Sequence, residues 1–168
     1  PVLAFPVANR IMPRDARQAW PDKAGLRGMA REEPMGFYSA SLAIVGVYAG
    51  LNILINLFLA YRVSANRVRS NVMTGTGEDE KLYNASRAHI VNVEYTPIAL
   101  IGLVVLHLLA ASIYVLHIVG LALTIGRILH AIGVSRTGES TPPRLVGTLL
   151  TWIALLVAGI GCLWYALV

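Results

Sequence analysis

Three stretches of the chain carry no charged side chain: Phe37 to Tyr61, Tyr95 to Gly126 and Leu145 to Val168. A helix of roughly 20 apolar residues is enough to cross the hydrocarbon of a bilayer. The first and last stretches each supply one crossing. The middle one, extended upstream to Leu82 and downstream to Ile132, is too long for one and predicts two, joined by a tight turn near Ala110–Ile113. Four helices are therefore expected, at about 37–62, 82–109, 114–132 and 144–168. No stretch alternates apolar and polar residues over about ten positions, as the strands of a membrane barrel do. The fold class expected is all-α, a four-helix transmembrane bundle.

Punctuation between the apolar runs agrees with this division. Gly75-Thr76-Gly77 marks a turn, and Glu78-Asp79-Glu80 puts acids where a helix begins. Pro97 lies inside the second helix and removes one backbone donor. Gly133 and Ser135 close the third helix, and Pro142-Pro143 set the start of the fourth. In the first helix Gly46, Ala49 and Gly50 form a small face for close contact. Asn52 and Asn56, four apart, share a face and suit either hydrogen bonds to another helix or a ligand.

Residues 1–34 contain five prolines and no usable periodicity, and are expected to form an extramembrane arm ahead of a membrane domain at 35–168. No apolar core followed by a small-residue cleavage site is present there, so a secretory signal is not indicated.

Charge changes the picture in one respect. The chain is 56% hydrophobic, 14% charged and +5 net, and its bases outside the arm fall near the two polar loops. The short turn and the C-terminus hold no Lys or Arg. Positive-inside then predicts cytoplasmic loops at 63–82 and 133–144. The bases are not interleaved with aromatics and form no nucleic-acid footprint, so membrane lipids are the expected surroundings. Gly75-Thr76-Gly77 lacks the Lys-Ser/Thr of a phosphate loop, and the single Cys162 permits no internal disulfide.

The candidate chemistry lies at the loop side of helices two and three. Arg87 and Glu94, seven apart, stand nearly in line on one helical face. Arg127 and His130, three apart, share a face of the third helix. Asn92 is five residues beyond Arg87 and so points about 140° away from it on an ideal helix. Such groups are costly in hydrocarbon and turn toward a bundle interior, a partner or a ligand. Glu94 and Arg127 could form a buried pair that registers the helices. The surplus of arginine could instead hold an anionic ligand, because guanidinium binds carboxylates bidentately. No metal site is suggested.

Four segments together resemble the MAPEG family, the membrane-associated proteins of eicosanoid and glutathione metabolism, and in particular its bacterial branch. They are Arg87-Ala88-His89…Asn92…Glu94-Tyr95-Thr96-Pro97, Gly75-Thr76-Gly77, Gly126-Arg127-Ile128-Leu129-His130-Ala131-Ile132-Gly133 and Arg144-Leu145-Val146-Gly147. One departure is the spacing Asn92-Val93-Glu94, where the family pattern has two residues between Asn and Glu. The resemblance implies a multi-pass protein of a bacterial inner membrane, a homotrimer, and glutathione as co-substrate between protomers. It implies that Arg87, Asn92, Glu94, Tyr95, Arg127 and His130 bind that substrate, and that Arg67 or Arg144 stabilises its thiolate. The activity implied is a glutathione transferase or peroxidase acting on an apolar electrophile from the membrane.

Two other readings compete. A non-catalytic subunit of a larger membrane complex would use the arm for docking. A haem protein would use His89 with His130 and His107 with His117 as an upper and a lower pair. A transporter is disfavoured, because no inverted repeat or second broken helix is present.

Overall fold

The structure is a computed structural model that describes residues 35–136 and 141–168. The expected arm lies outside the described residues. Among the described residues four helices follow in order: α1 (Met35–Ser70), α2 (Glu80–Leu108), α3 (Ile113–Arg136) and α4 (Pro142–Leu167). All four are long and apolar enough to cross a membrane. Large apolar side chains cover the outside, Leu54, Phe58, Ile98, Ile101, Leu156 and Leu163 among them. That is how a bundle solvated by lipid distributes its residues.

The helices end where backbone chemistry requires. α1 continues two turns past the expected boundary, because nothing between Val63 and Ser70 breaks it. Asn71 stops it in the left-handed region at φ 52°, and Gly75 (68°) and Gly77 (53°) shape the loop that follows. The expected loop at 63–82 is thus largely helix at its start. Asp79 caps α2 by accepting from the Leu82 amide at 3.0 Å, and Arg69 grips the same carboxylate at 3.1 and 2.7 Å. α2 runs through Pro97 as one helix. Its turn into α3 uses Ala110 at φ 55°, and the Ser112 amide donates to the Tyr165 hydroxyl of α4 at 3.2 Å.

α3 and α4 cross at backbone contact. A Cβ on Gly147 would lie 2.6 Å from the Gly126 carbonyl oxygen and closer still to the His130 amide nitrogen. A Cβ on Gly133 would lie 2.7 Å from the Arg144 Cα. Small residues at a membrane crossing allow this approach. The glycines at 126, 133 and 147 therefore fix Arg127, His130 and Arg144 relative to one another.

α1 is attached differently, through side chains reaching across from successive turns. Ser41 bonds the Nδ1 of His107 at 2.9 Å, Tyr48 that of His117 at 2.8 Å, and Asn52 donates to Thr124 at 2.9 Å. Asn56 accepts from Asn92 at 3.1 Å, and Arg62 donates to the Ser135 hydroxyl. Tyr48 also lays its ring where any side chain on Gly120 would stand.

The interior has three layers. Toward the short turn lies the main apolar cluster, with Val45, Leu103, Leu106, Leu116, Val119, Leu123 and Ala154 at its centre. Toward the loops lies a smaller one of Leu59, Ala88, Ala131 and Val134. Between them sits a polar belt, and the candidate site is built on it.

Candidate functional site

Arg127 is the largest of the fully buried side chains, 1% exposed. Its Nε donates to the Oδ1 of Asn92 at 3.1 Å, and an Nη meets the Nδ1 of His130 at 3.2 Å. A guanidinium only donates, so His130 accepts at Nδ1 and keeps its proton on Nε2. Asn92 Oδ1 also accepts from Thr96 at 3.1 Å, while its amide donates to Asn56. Asn92 thus ties three helices together. The belt neutralises no charge on Arg127; it solvates the guanidinium with oriented dipoles, as a low-dielectric interior requires.

The expected residues divide into two groups. Asn92, Arg127 and His130 come together inside the bundle. Arg87 and Glu94 are exposed on the opposite side of α2, and Tyr95 is half-buried between, within electrostatic reach of Arg127. The pairing of Glu94 with Arg127 considered above does not occur; Asn92 takes that place. The angle of about 140° between Asn92 and Arg87 is what separates the groups. It turns Asn92 inward onto Arg127 and leaves Arg87 and Glu94 outward.

The two arginines expected to act on a thiolate are placed differently. Arg67 donates to the carbonyls of Val72, Met73 and Gly75 at 3.5, 3.3 and 2.8 Å, and so organises the loop after α1. Arg144 packs its backbone on Gly133, and its charge bears on His130 together with those of Arg127 and Arg87. Three of the four histidines of the haem reading have protein partners. His107 and His117 meet Ser41 and Tyr48, and His130 meets Arg127. No group of three or more His, Cys, Asp or Glu is poised to hold a metal among the described residues.

Asn56 and Thr96 belong to the belt and were not singled out with Arg127. The signal was present: Asn56 follows Asn52 by four, and Thr96 follows Asn92 by four. A 230 Å³ crevice between α1 and α2 touches Asn52, Asn56, Asn92 and Thr96. The Oδ1 of Asn52 is buried without a hydrogen-bond partner among the described residues.

A family model, described as the MAPEG family, matches residues 45–164. The chain belongs to the MAPEG family. The match spans all four helices, including the glycine contacts of α3 and α4 and the outward face of α2 bearing Arg87 and Glu94. Among curated relatives, the inner membrane protein YecN of Escherichia coli K12 is 31% identical over 122 residues, covering 73% of this chain and 92% of the relative. The protein of the same name from an O6:H1 strain aligns equally well. This MAPEG chain is a multi-pass membrane protein, and the resemblance read from its motifs extends through its fold class.

Proposed function

We propose that this protein binds glutathione between adjacent copies in a bacterial inner membrane and conjugates its thiolate to an apolar electrophile, with loss of the leaving group, or reduces a lipid hydroperoxide to the alcohol and water at the expense of two glutathiones, which leave as the disulfide. The observation that carries this reading is the outward face of α2. Arg87, Ile90, Glu94, Pro97, Ile101, Val104 and Leu108 recur at spacings of three and four and are all exposed. The period is that of a helix-pairing seam. Neither Arg87 nor Glu94 has an ion-pair partner among the described residues. Two unpaired opposite charges do not face lipid tails at this depth.

Packing of further copies along this seam, in the homotrimer that the family resemblance implies, would cover the aliphatic positions and enclose the two charges. Seven residues put Arg87 and Glu94 about 10 Å apart along the axis. That separation suits a short peptide with an ammonium at one end and a carboxylate at the other. Glu94 takes the ammonium and Arg87 a carboxylate, with Tyr95 beside them. Arg144, whose charge bears on His130 at the edge of the belt, is the arginine we assign to lowering the pKa of the thiol, while Arg67 organises the loop after α1. The buried Arg127 belt then acts as the scaffold that holds α2 in this orientation.

The test combines mass and turnover. Native mass spectrometry of the detergent-purified protein should show trimers. Glutathione with a generic aryl halide should give conjugate at a rate above the uncatalysed one, and Arg144→Leu should abolish the excess. Trimers with no conjugation and no glutathione retained would favour a non-catalytic subunit of a larger membrane complex.

A further inference from the structure

We propose that the protein carries a site for an anionic phospholipid in the groove between α1 and α3, separate from the outward face of α2. The groove has a volume of about 520 Å³. Its walls are mostly apolar residues, Leu54 and Phe58 on α1 and Ile128 and Ile132 on α3 among them, and Arg62 and Ser135 line it where both helices near the loops. A second cavity of about 270 Å³ begins at those same two residues. It is polar, lined further by Asn66, Glu80, Lys81 and Asn84, so that α1, α2 and α3 converge on it.

An apolar groove that shares Arg62 and Ser135 with a polar, basic chamber matches the two parts of an amphiphile. The dimensions identify which one. Leu51 to Arg62 is eleven residues, about 16 Å of helix. That is about half of a 30 Å hydrocarbon core, the depth of one leaflet. The groove therefore takes one acyl chain of a lipid in the leaflet on the loop side, where Arg62 ends the charge-free run of α1. Arg62 and Lys81 against Glu80 leave the chamber one positive charge in excess. An anionic headgroup satisfies it; a zwitterionic one does not. The Arg62 bond to Ser135 holds the guanidinium at the junction of the cavities, and Asn66, which donates to the Arg62 carbonyl at 2.8 Å, lies one turn beyond.

The groove also accounts for how α1 is mounted. α1 stands off from α3 and is joined to it by separate polar bridges at Tyr48, Asn52 and Arg62. A chain lying between the last two bridges fills the space that α1 and α3 leave.

The experiment uses the full-length protein reconstituted in nanodiscs of phosphatidylethanolamine with a minor share of phosphatidylglycerol, then released and examined by native mass spectrometry. The wild type should retain one phosphatidylglycerol per chain. Arg62→Leu should reduce that retention by about tenfold, the effect of one charge-assisted contact. Ile128→Trp should abolish it by filling the groove, and Ile118→Trp, exposed on α3 outside the groove, should leave it unchanged. Retention of phosphatidylethanolamine equal to that of phosphatidylglycerol, or retention unaltered in Ile128→Trp, would overturn the proposal. So would disulfide cross-linking between separate copies carrying Leu54→Cys and Ile128→Cys with no lipid bound, because a second copy would then occupy the groove. Glutathione binding does not enter any of these outcomes.

Discussion

Replacing Asn92 by Leu removes the centre of the polar belt while keeping a side chain of similar size. Three hydrogen bonds go with it, from Arg127 Nε, from Thr96 and to Asn56. Side-chain hydrogen bonds within membrane bundles average about 0.6 kcal/mol, so the two neutral ones contribute about 1 kcal/mol. The bond from the guanidinium is charge-assisted and worth about 1.5–3 kcal/mol, and its loss leaves His130 as the side-chain partner of a cation that is 1% exposed. The expected cost is about 3 kcal/mol, or about 6–12 °C in the unfolding temperature of a chain this size. Circular dichroism during heating in detergent, at fixed detergent and protein concentration, measures it. The double variant Asn92→Leu/Arg127→Leu tests the cause. Because the leucine at 127 removes the stranded charge, the two changes should cost about 2 kcal/mol less together than separately. A fall below about 2 °C for Asn92→Leu, or strict additivity in the pair, would refute the view that Asn92 solvates Arg127.

Other outcomes follow from single contacts. Gly147→Ala should destabilise by about 1–3 kcal/mol, since its Cβ meets the Gly126 carbonyl and the His130 backbone, neither of which can yield cheaply. Gly46→Ala, which meets nothing within 4 Å, should be neutral or stabilising by up to about 1 kcal/mol in the same heating experiment. Asp79 lies in the loop, where the Leu82 amide first and the charge of Arg69 after it hold its carboxyl below the ordinary value of 3.8. A depressed folded-state pKa contributes stability above the unfolded value and loses it as pH falls through the folded one. Wild type should therefore exceed Asp79→Asn in unfolding temperature at neutral pH, and the difference should shrink as the pH drops below about 4.

The four crossings were legible because charge-free runs of helical length have one physical solution in lipid. The extent of α1 was not: Arg62, Arg67 and Arg69 read as a polar link, yet no residue before Asn71 forbids helix. Interhelix bonding by Asn52 and Asn56 was legible from their spacing and solvent. The belt was only half so. Spacing separated Asn92 from Arg87 by about 140°, but which of the two faced Arg127 depends on how α2 rotates against α3. That rotation is set by the close contact of Gly102 with Ala158 of α4 and by the bonds of Asn92 to α1 and α3, interactions distant in sequence. The groove between α1 and α3 has no signature in either helix alone, since it is made by the distance between them.

Glutathione titrated calorimetrically into the purified protein, and into Glu94→Gln beside it, measures the central claim. An exposed Glu94 with no ion-pair partner among the described residues predicts that Glu94→Gln keeps the unfolding temperature of the wild type. A wild type that binds, with affinity reduced by about tenfold or more in Glu94→Gln, is the predicted result. No heat of binding in the wild type, or an unfolding temperature that falls in Glu94→Gln as it does in Asn92→Leu, would contradict the assignment of the outward face of α2 to a ligand.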